Sequence, residues 1–119
     1  MPLNVLGHDL APCSRNPLTG FIRDGCCQSL PNDSGMHLIC VVVTEEFLLF
    51  SQSRGNDLIT PVPQYQFPGL TPGDQWCLCL QRWQEALQAD CAPPVVLEAT
   101  HLSVTEFIDR MILEEHRAY

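Results

Sequence analysis

Apolar positions along the chain fall into three patterns, and each predicts a different element. HLICVVVT, residues 37 to 44, is an unbroken β-branched run of the kind that forms a strand buried on both faces and central in its sheet. WCLCLQ, residues 76 to 81, alternates Trp76, Leu78 and Leu80 against Cys77, Cys79 and Gln81, so a strand here puts both thiols on one face and the large apolar groups on the other. VVLEA, residues 95 to 99, follows Pro93 and Pro94 and predicts a third strand. Helical spacing fills the intervals. Thr44 is placed to cap a helix over 45 to 54, with Glu45 and Glu46 in its first turn and Arg54 and Gly55 at its stop. Trp83, Ala86 and Leu87 mark a helix over 82 to 89. At the C-terminus, Ser103 and Glu106 match a capping box and Leu102 with Phe107 a hydrophobic staple. The stripe Val104, Phe107, Ile108, Met111, Ile112 extends that helix over 104 to 116.

Two segments have no such period. Residues 1 to 36 carry Pro2, Pro12, Pro17, Pro31 and Gly7, Gly20, Gly25, Gly35, too closely spaced for long elements. A loop-rich opening is expected, with one short strand around Gly20 to Arg23 and with Leu18, Phe21 and Ile22 as anchors against disorder. From Asn56 to Asp74, four prolines and two glycines predict a long loop, which Tyr65, Phe67 and Leu70 pack onto the body. Together these readings predict one domain over residues 1–119. Its class is α+β: a small, mainly antiparallel sheet with about three helices and long Pro/Gly-rich loops. The alternative is α/β with parallel strands, because a helix follows each of the first two strands.

Charge narrows the functional classes. The 119 residues carry a formal net charge of -8, from 14 carboxylates against six arginines and no lysine. Scattered single arginines make nucleic acid a poor partner and give no basic face for a membrane surface. No apolar run approaches the roughly 18 residues of a membrane span. The first residues lack the basic start and apolar stretch of a secretory signal, so a cytoplasmic location is expected, with the seven cysteines reduced; their odd number also argues against a closed set of disulfides. A chain of this length can bury a modest core without staples.

Chemistry centres on RDGCCQS, residues 23 to 29. Thiol catalysis or redox sensing by Cys26 or Cys27 is one reading, with Arg23 as the activating cation and His37 or His101 as the partner base. Zinc is another: Cys26, Cys27, Cys40, Cys77, Cys79, His37 and His101 offer more soft ligands than a tetrahedral site needs, with Cys26, Cys27, Cys77 and Cys79 as the set for an ion, but adjacent cysteines and a strand C-x-C depart from the usual C-x-x-C knuckles, so no cofactor is required. A core role competes for Cys40, Cys77 and Cys79, while Cys91 in ADCAPP is the expected exposed thiol. The favoured reading is a small ligand, an anion where an arginine faces it, held by loop residues Arg23, Asp24, Arg54, Asn56, Asp57, Arg82 and His101. Against it, Arg54 and Arg82 can simply tie loops down through Asp57 and Asp74, and His101 can bond a backbone carbonyl. A protein-interaction module is the remaining class. Trp76 and Trp83 are read as core.

The stretches TGFIRDGCC, TEEFLLFSQSRGNDLITP, FPGLTPGDQWCLCLQRWQEA and APPVVLEATH occur in an order that resembles a bacterial family known as domain of unknown function 2237, over roughly residues 3 to 102. The resemblance implies no particular activity, substrate or cofactor. It runs through the RDGCC and RGND positions, Cys40, Cys77, Cys79, Arg82, Trp83 and His101. Cys91 and the tail after Leu102 lie outside the motifs.

Overall fold

The computed structural model describes residues 2–119. Two strands, β1 (His37–Val42) and β2 (Gln75–Cys79), pair antiparallel, with His37 opposite Cys79, Cys40 opposite Cys77 and Val42 opposite Gln75. A register shift between His37 and Ile39 interrupts the ladder beside the first of these pairs. The other edge of β1 is also bonded: the Val96 N–H donates to the Cys40 carbonyl, the Val42 N–H to that of Pro94, and the His101 N–H to that of Leu38. Both edges of β1 are thus bonded, although the sheet has only two strands among the described residues, so β1 is not central in it, as its β-branched run predicts it to be.

Residues 95 to 99 do not form the expected strand. Val95 makes only isolated bridges, to Val41 and Arg117, and Leu97–Ala99 closes into a 3-10 turn. Thr100 explains the break, because its Oγ1 donates to the Val96 carbonyl and accepts from the Cys40 N–H, replacing ladder bonds by side-chain bonds.

Helix α1 (Glu45–Ser53) starts where its cap predicts, with Thr44 Oγ1 accepting from the Phe47 N–H at 3.1 Å, and stops at Arg54 before Gly55 at φ +89°. Helix α2 (Leu80–Gln88) follows β2 without a loop and buries Leu80, Trp83 and Ala86. The single C-terminal helix is corrected to two pieces, a 3-10 turn at Leu102–Glu106 and α3 (Arg110–Glu115). Asp109 restarts the helix as an N-cap by accepting from the Met111 N–H, and Ser103 bonds His101 rather than closing a box with Glu106. Phe107 and Met111 are accordingly exposed, and only Val104, Ile108 and Leu113 are fully buried there.

The sheet separates two interiors. Ile39, Val41, Trp76 and Leu78 join Phe47, Trp83, Val95 and Leu113 in the main core. Cys40 and Cys77, on the opposite face, pack with Cys13, Cys27, Val96 and Ala99. The alternation in WCLCLQ therefore sorts as read. Four of these thiols are oxidised, however: Cys13 is bonded to Cys40 and Cys27 to Cys77. The odd count resolves into two bridges plus free Cys26, Cys79 and Cys91. These bridges, not Leu18, Phe21 and Ile22, tie the N-terminal segment down; those three are exposed, and no strand forms at Gly20 to Arg23. Buried Asn4 and Thr19 assist: the Asn4 amide bonds four backbone groups, and Thr19 Oγ1 accepts from the Cys77 N–H. In the 56 to 74 loop Leu70 is buried and Phe67 meets Trp76 edge-on, but Tyr65 is exposed. Among the described residues, no helix is long and apolar enough to cross a membrane.

Candidate active site

The antiparallel register sets the start of β1 against the end of β2, so His37 faces Cys79 across the pair. Their side chains touch: Cys79 Sγ lies 3.2 Å from His37 Nε2. The other ring nitrogen, Nδ1, lies 2.7 Å from Asp33 Oδ1, while Asp33 Oδ2 accepts from the His37 backbone N–H at 2.9 Å. Both carboxylate oxygens are thus committed to one residue. The Asp33 side chain is 1% exposed and that of His37 31%, so the chain of contacts runs from a sealed carboxylate to a half-buried thiol. Nucleophile, base and orienting acid in hydrogen-bond sequence are the geometry of a thiol triad.

Local structure supports that order. The register shift next to His37 is the kind of irregularity that re-aims a side chain beside a site. Met36 is held at φ +51°, and its carbonyl accepts from both Leu38 and Leu80, joining the turn before β1 to the start of α2. Cys79 is itself the N-cap of α2, and its sulfur makes no capping bond. The Leu80 N–H is taken by Met36, whereas first-turn N–H groups such as those of Gln81 and Arg82 have no partner inside the helix. Phe21 stacks on the imidazole with centroids 5.9 Å apart. Gly35 leaves space beside both groups: a Cβ there would sit 2.9 Å from His37 Cε1 and 3.3 Å from Cys79 Sγ.

The electrostatics follow the contacts. His37 is pushed up to about 9, first by its hydrogen bond to Cys79 and then by the charges of Cys79 and Asp33, against a burial cost that acts the other way. In the imidazolium form Nε2–H donates to sulfur and Nδ1–H to Asp33. Cys26, by contrast, is raised above the ordinary thiol value by burial and by Asp24, with Arg15 only partly offsetting. Arg23 does not supply the expected activation: its Nη1 donates to the Gly20 carbonyl and its guanidinium lies 5.2 Å from the Trp76 ring centroid. Cys27 is held in its bridge, and Cys91 is buried and raised, not the exposed thiol that the sequence suggests.

The loop residues proposed for ligand binding do not gather at one place. Arg23 and Asp57 line a shallow cavity of about 210 Å³ with Leu58, Val62, Tyr65, Phe67 and Trp76. Arg54 and Arg82 instead meet at Glu85, 3.9 Å and 3.3 Å from its carboxylate, and Arg82 also donates to the Arg54 carbonyl. Their expected partners are occupied elsewhere: Asp57 accepts from the Ile59 and Thr60 N–H groups, and Asp74 from Thr71. Asp24 bonds the Cys26 N–H and Gln28, and the Asn56 carbonyl accepts from Ser51 Oγ. His101 accepts from the Ser103 N–H through Nδ1 rather than donating to a carbonyl, and burial lowers it. Three buried sulfurs, those of Cys13, Cys27 and Cys77, lie within 4.8 Å of one another, a grouping that has Cys13 in place of Cys26 and Cys79. A cavity of about 680 Å³ lies between α2 and Phe107, Ile108, Asp109 and Ile112, and no triad residue lines it.

A family described as an uncharacterized protein conserved in bacteria, domain of unknown function 2237, matches residues 3–117. The chain belongs to this family. The match takes in Cys91 and most of the C-terminal tail, both of which the motifs alone leave outside. No curated protein matches the chain. The sequence offers His37 as a partner for Cys26 or Cys27, reads Cys79 as a core residue or metal ligand and does not single out Asp33, whereas the structure brings His37, Cys79 and Asp33 together. Antiparallel pairing of the two predicted strands, start against end, was the available signal for His37 and Cys79; nothing in the sequence singled out Asp33.

Proposed function

We propose that this protein is a cysteine-dependent acyl-transfer enzyme with Cys79 as nucleophile, His37 as proton carrier and Asp33 as the group that orients it. The observation that carries the reading is the unbroken contact chain, 3.2 Å from sulfur to imidazole and 2.7 Å from imidazole to buried carboxylate. His37, in the imidazolium form that its raised value favours, holds the proton on Nε2 beside the Cys79 thiolate; the thiolate adds to the acyl carbon, and Nε2–H then gives that proton to the leaving group. The oxyanion is met by free N–H groups of the first turn of α2. An orienting carboxylate and a returning proton matter most when the leaving group is poor, which favours acyl transfer over simple disulfide exchange. Because the half-buried thiol lines neither of the cavities described above, the substrate class favoured is an acyl group presented on a larger carrier.

The test maps iodoacetamide alkylation of Cys26, Cys79 and Cys91 across pH, followed by incubation with an activated ester. Cys79 is expected to react fastest near neutrality and to retain the acyl group as a mass increment, with His37→Gln slowing both by about 100-fold or more. Cys79 reacting no faster than Cys26, with no acylated species, overturns the reading.

A second reading, a small ligand held by loops, is supported by the Arg23 and Asp57 cavity. It predicts that thermal stabilisation by some member of a panel of small carboxylates and phosphates is lost in Arg23→Ala and kept in Cys79→Ser.

A further inference from the structure

The two bridges are not spread over the molecule. Cys40 and Cys77 are direct partners across β1 and β2, and Cys13 and Cys27 descend from the N-terminal loops onto the same face. All four are buried, with relative exposure from 0% to 4%. Three of the sulfurs already lie within 4.8 Å of one another, and the fourth, Cys40, is bonded to one of them. A tetrahedral tetrathiolate zinc site, with Zn–S near 2.3 Å, sets its sulfurs about 3.8 Å apart. Opening the bridges lets bonded sulfurs separate toward that spacing without moving either strand, since two ligands sit on the ladder and two on loops. The shell is suitably closed: Ala11, Val42, Val96, Ala99 and Ala118 surround the cluster, and Gln75 Nε2 lies 3.8 Å from Cys40 Sγ as a donor to a thiolate.

We propose that Cys13, Cys27, Cys40 and Cys77 form a redox-exchanged metal site: two disulfides under oxidising conditions, and one soft divalent cation such as zinc when both bridges are reduced. Reduction by two equivalents of a dithiol delivers four electrons and four protons, giving four thiols and two oxidised reductant molecules. Binding of one zinc then releases those four protons. Either state staples the N-terminal segment to the sheet, so the fold persists while the cluster changes form. This site is separate from Cys79 and stands whether or not the triad is catalytic.

The test reduces the full chain with a phosphine without oxygen, removes the reductant, and titrates cobalt as the spectroscopic probe. One equivalent is expected to give tetrahedral d–d bands and intense thiolate-to-cobalt charge transfer, discharged by zinc, present in Cys79→Ser and absent from the oxidised protein. Zinc should also protect Cys13, Cys27, Cys40 and Cys77 from alkylation in the reduced wild type, while Cys26 and Cys79 stay reactive, a readout that needs no variant to fold. The inference is overturned by any of three results: no tetrathiolate spectrum, the same spectrum before reduction, or protection that falls on Cys26 or Cys79 instead.

Discussion

At the scale of single residues, the burial of Asp33 governs what His37 can do. A sealed carboxylate with both oxygens on His37 holds the ring with Nδ1 protonated and leaves Nε2 to exchange a proton with sulfur. Asp33→Asn keeps the shape but removes the charge, and its amide N–H can favour the tautomer protonated on the wrong nitrogen. The expected result is a fall of roughly 100-fold in the neutral-pH alkylation rate of Cys79 with the far-ultraviolet circular dichroism unchanged; an unaltered rate would remove Asp33 from the triad. His37 also ties stability to pH. Its folded value of about 9 lies above the ordinary 6.5, so the protonated form is favoured by folding. That contribution is complete below about pH 6.5 and is lost as pH rises through about 9. Urea midpoints for the wild type should therefore decline over that window, and those of His37→Gln should decline less.

Among the elements, the ones legible in the sequence are those whose determinants are local. Thr44, Glu45 and the stop at Arg54 and Gly55 sit within α1 itself, and the structure keeps both ends within a residue. Thr44→Ala removes the hydroxyl that accepts from Phe47 and should cost about 1 kcal/mol in urea unfolding; a loss within error would show the cap to be replaced by water. The elements that misread are those decided by side-chain bonds that apolar periodicity does not weigh, one of them distant and one local. Thr100 bonds β1 across 60 residues and turns the expected third strand into bridges and a 3-10 turn. Asp109, which the stripe of apolar residues counts only as a helical position, restarts the helix as a cap. The site follows the same rule. β1 and β2 were legible as strands, and their pairing implies the contact of His37 with Cys79. Asp33 and the bridged Cys13 and Cys27 come from the aperiodic N-terminal segment, where spacing carries no geometric information.

Across the whole molecule, stability and site are coupled through that N-terminal segment. The bridges close loops with sequence separations of 27 and 50 residues, which limits the unfolded chain by on the order of 3.5 and 4 kcal/mol respectively. Losing either pair by Cys→Ser replacement should lower the urea midpoint by a large part of a small domain's stability. The two losses differ in their consequence for the triad. Residues 28–36, which carry Asp33, Gly35 and Met36, run between Cys27, anchored to β2 through Cys77, and His37 at the start of β1. Cys77 in turn stands two positions before Cys79 on the same strand. Removing the Cys27–Cys77 bridge frees one end of the segment that positions Asp33, whereas removing Cys13–Cys40 leaves both of its ends held. At equal folded fraction, Cys27→Ser with Cys77→Ser should therefore slow Cys79 alkylation by about ten-fold or more. Cys13→Ser with Cys40→Ser should leave it near wild type. Equal slowing in the two variants, after correction for unfolded protein, would mean that the bridges act on global stability alone and that the triad is held by the sheet.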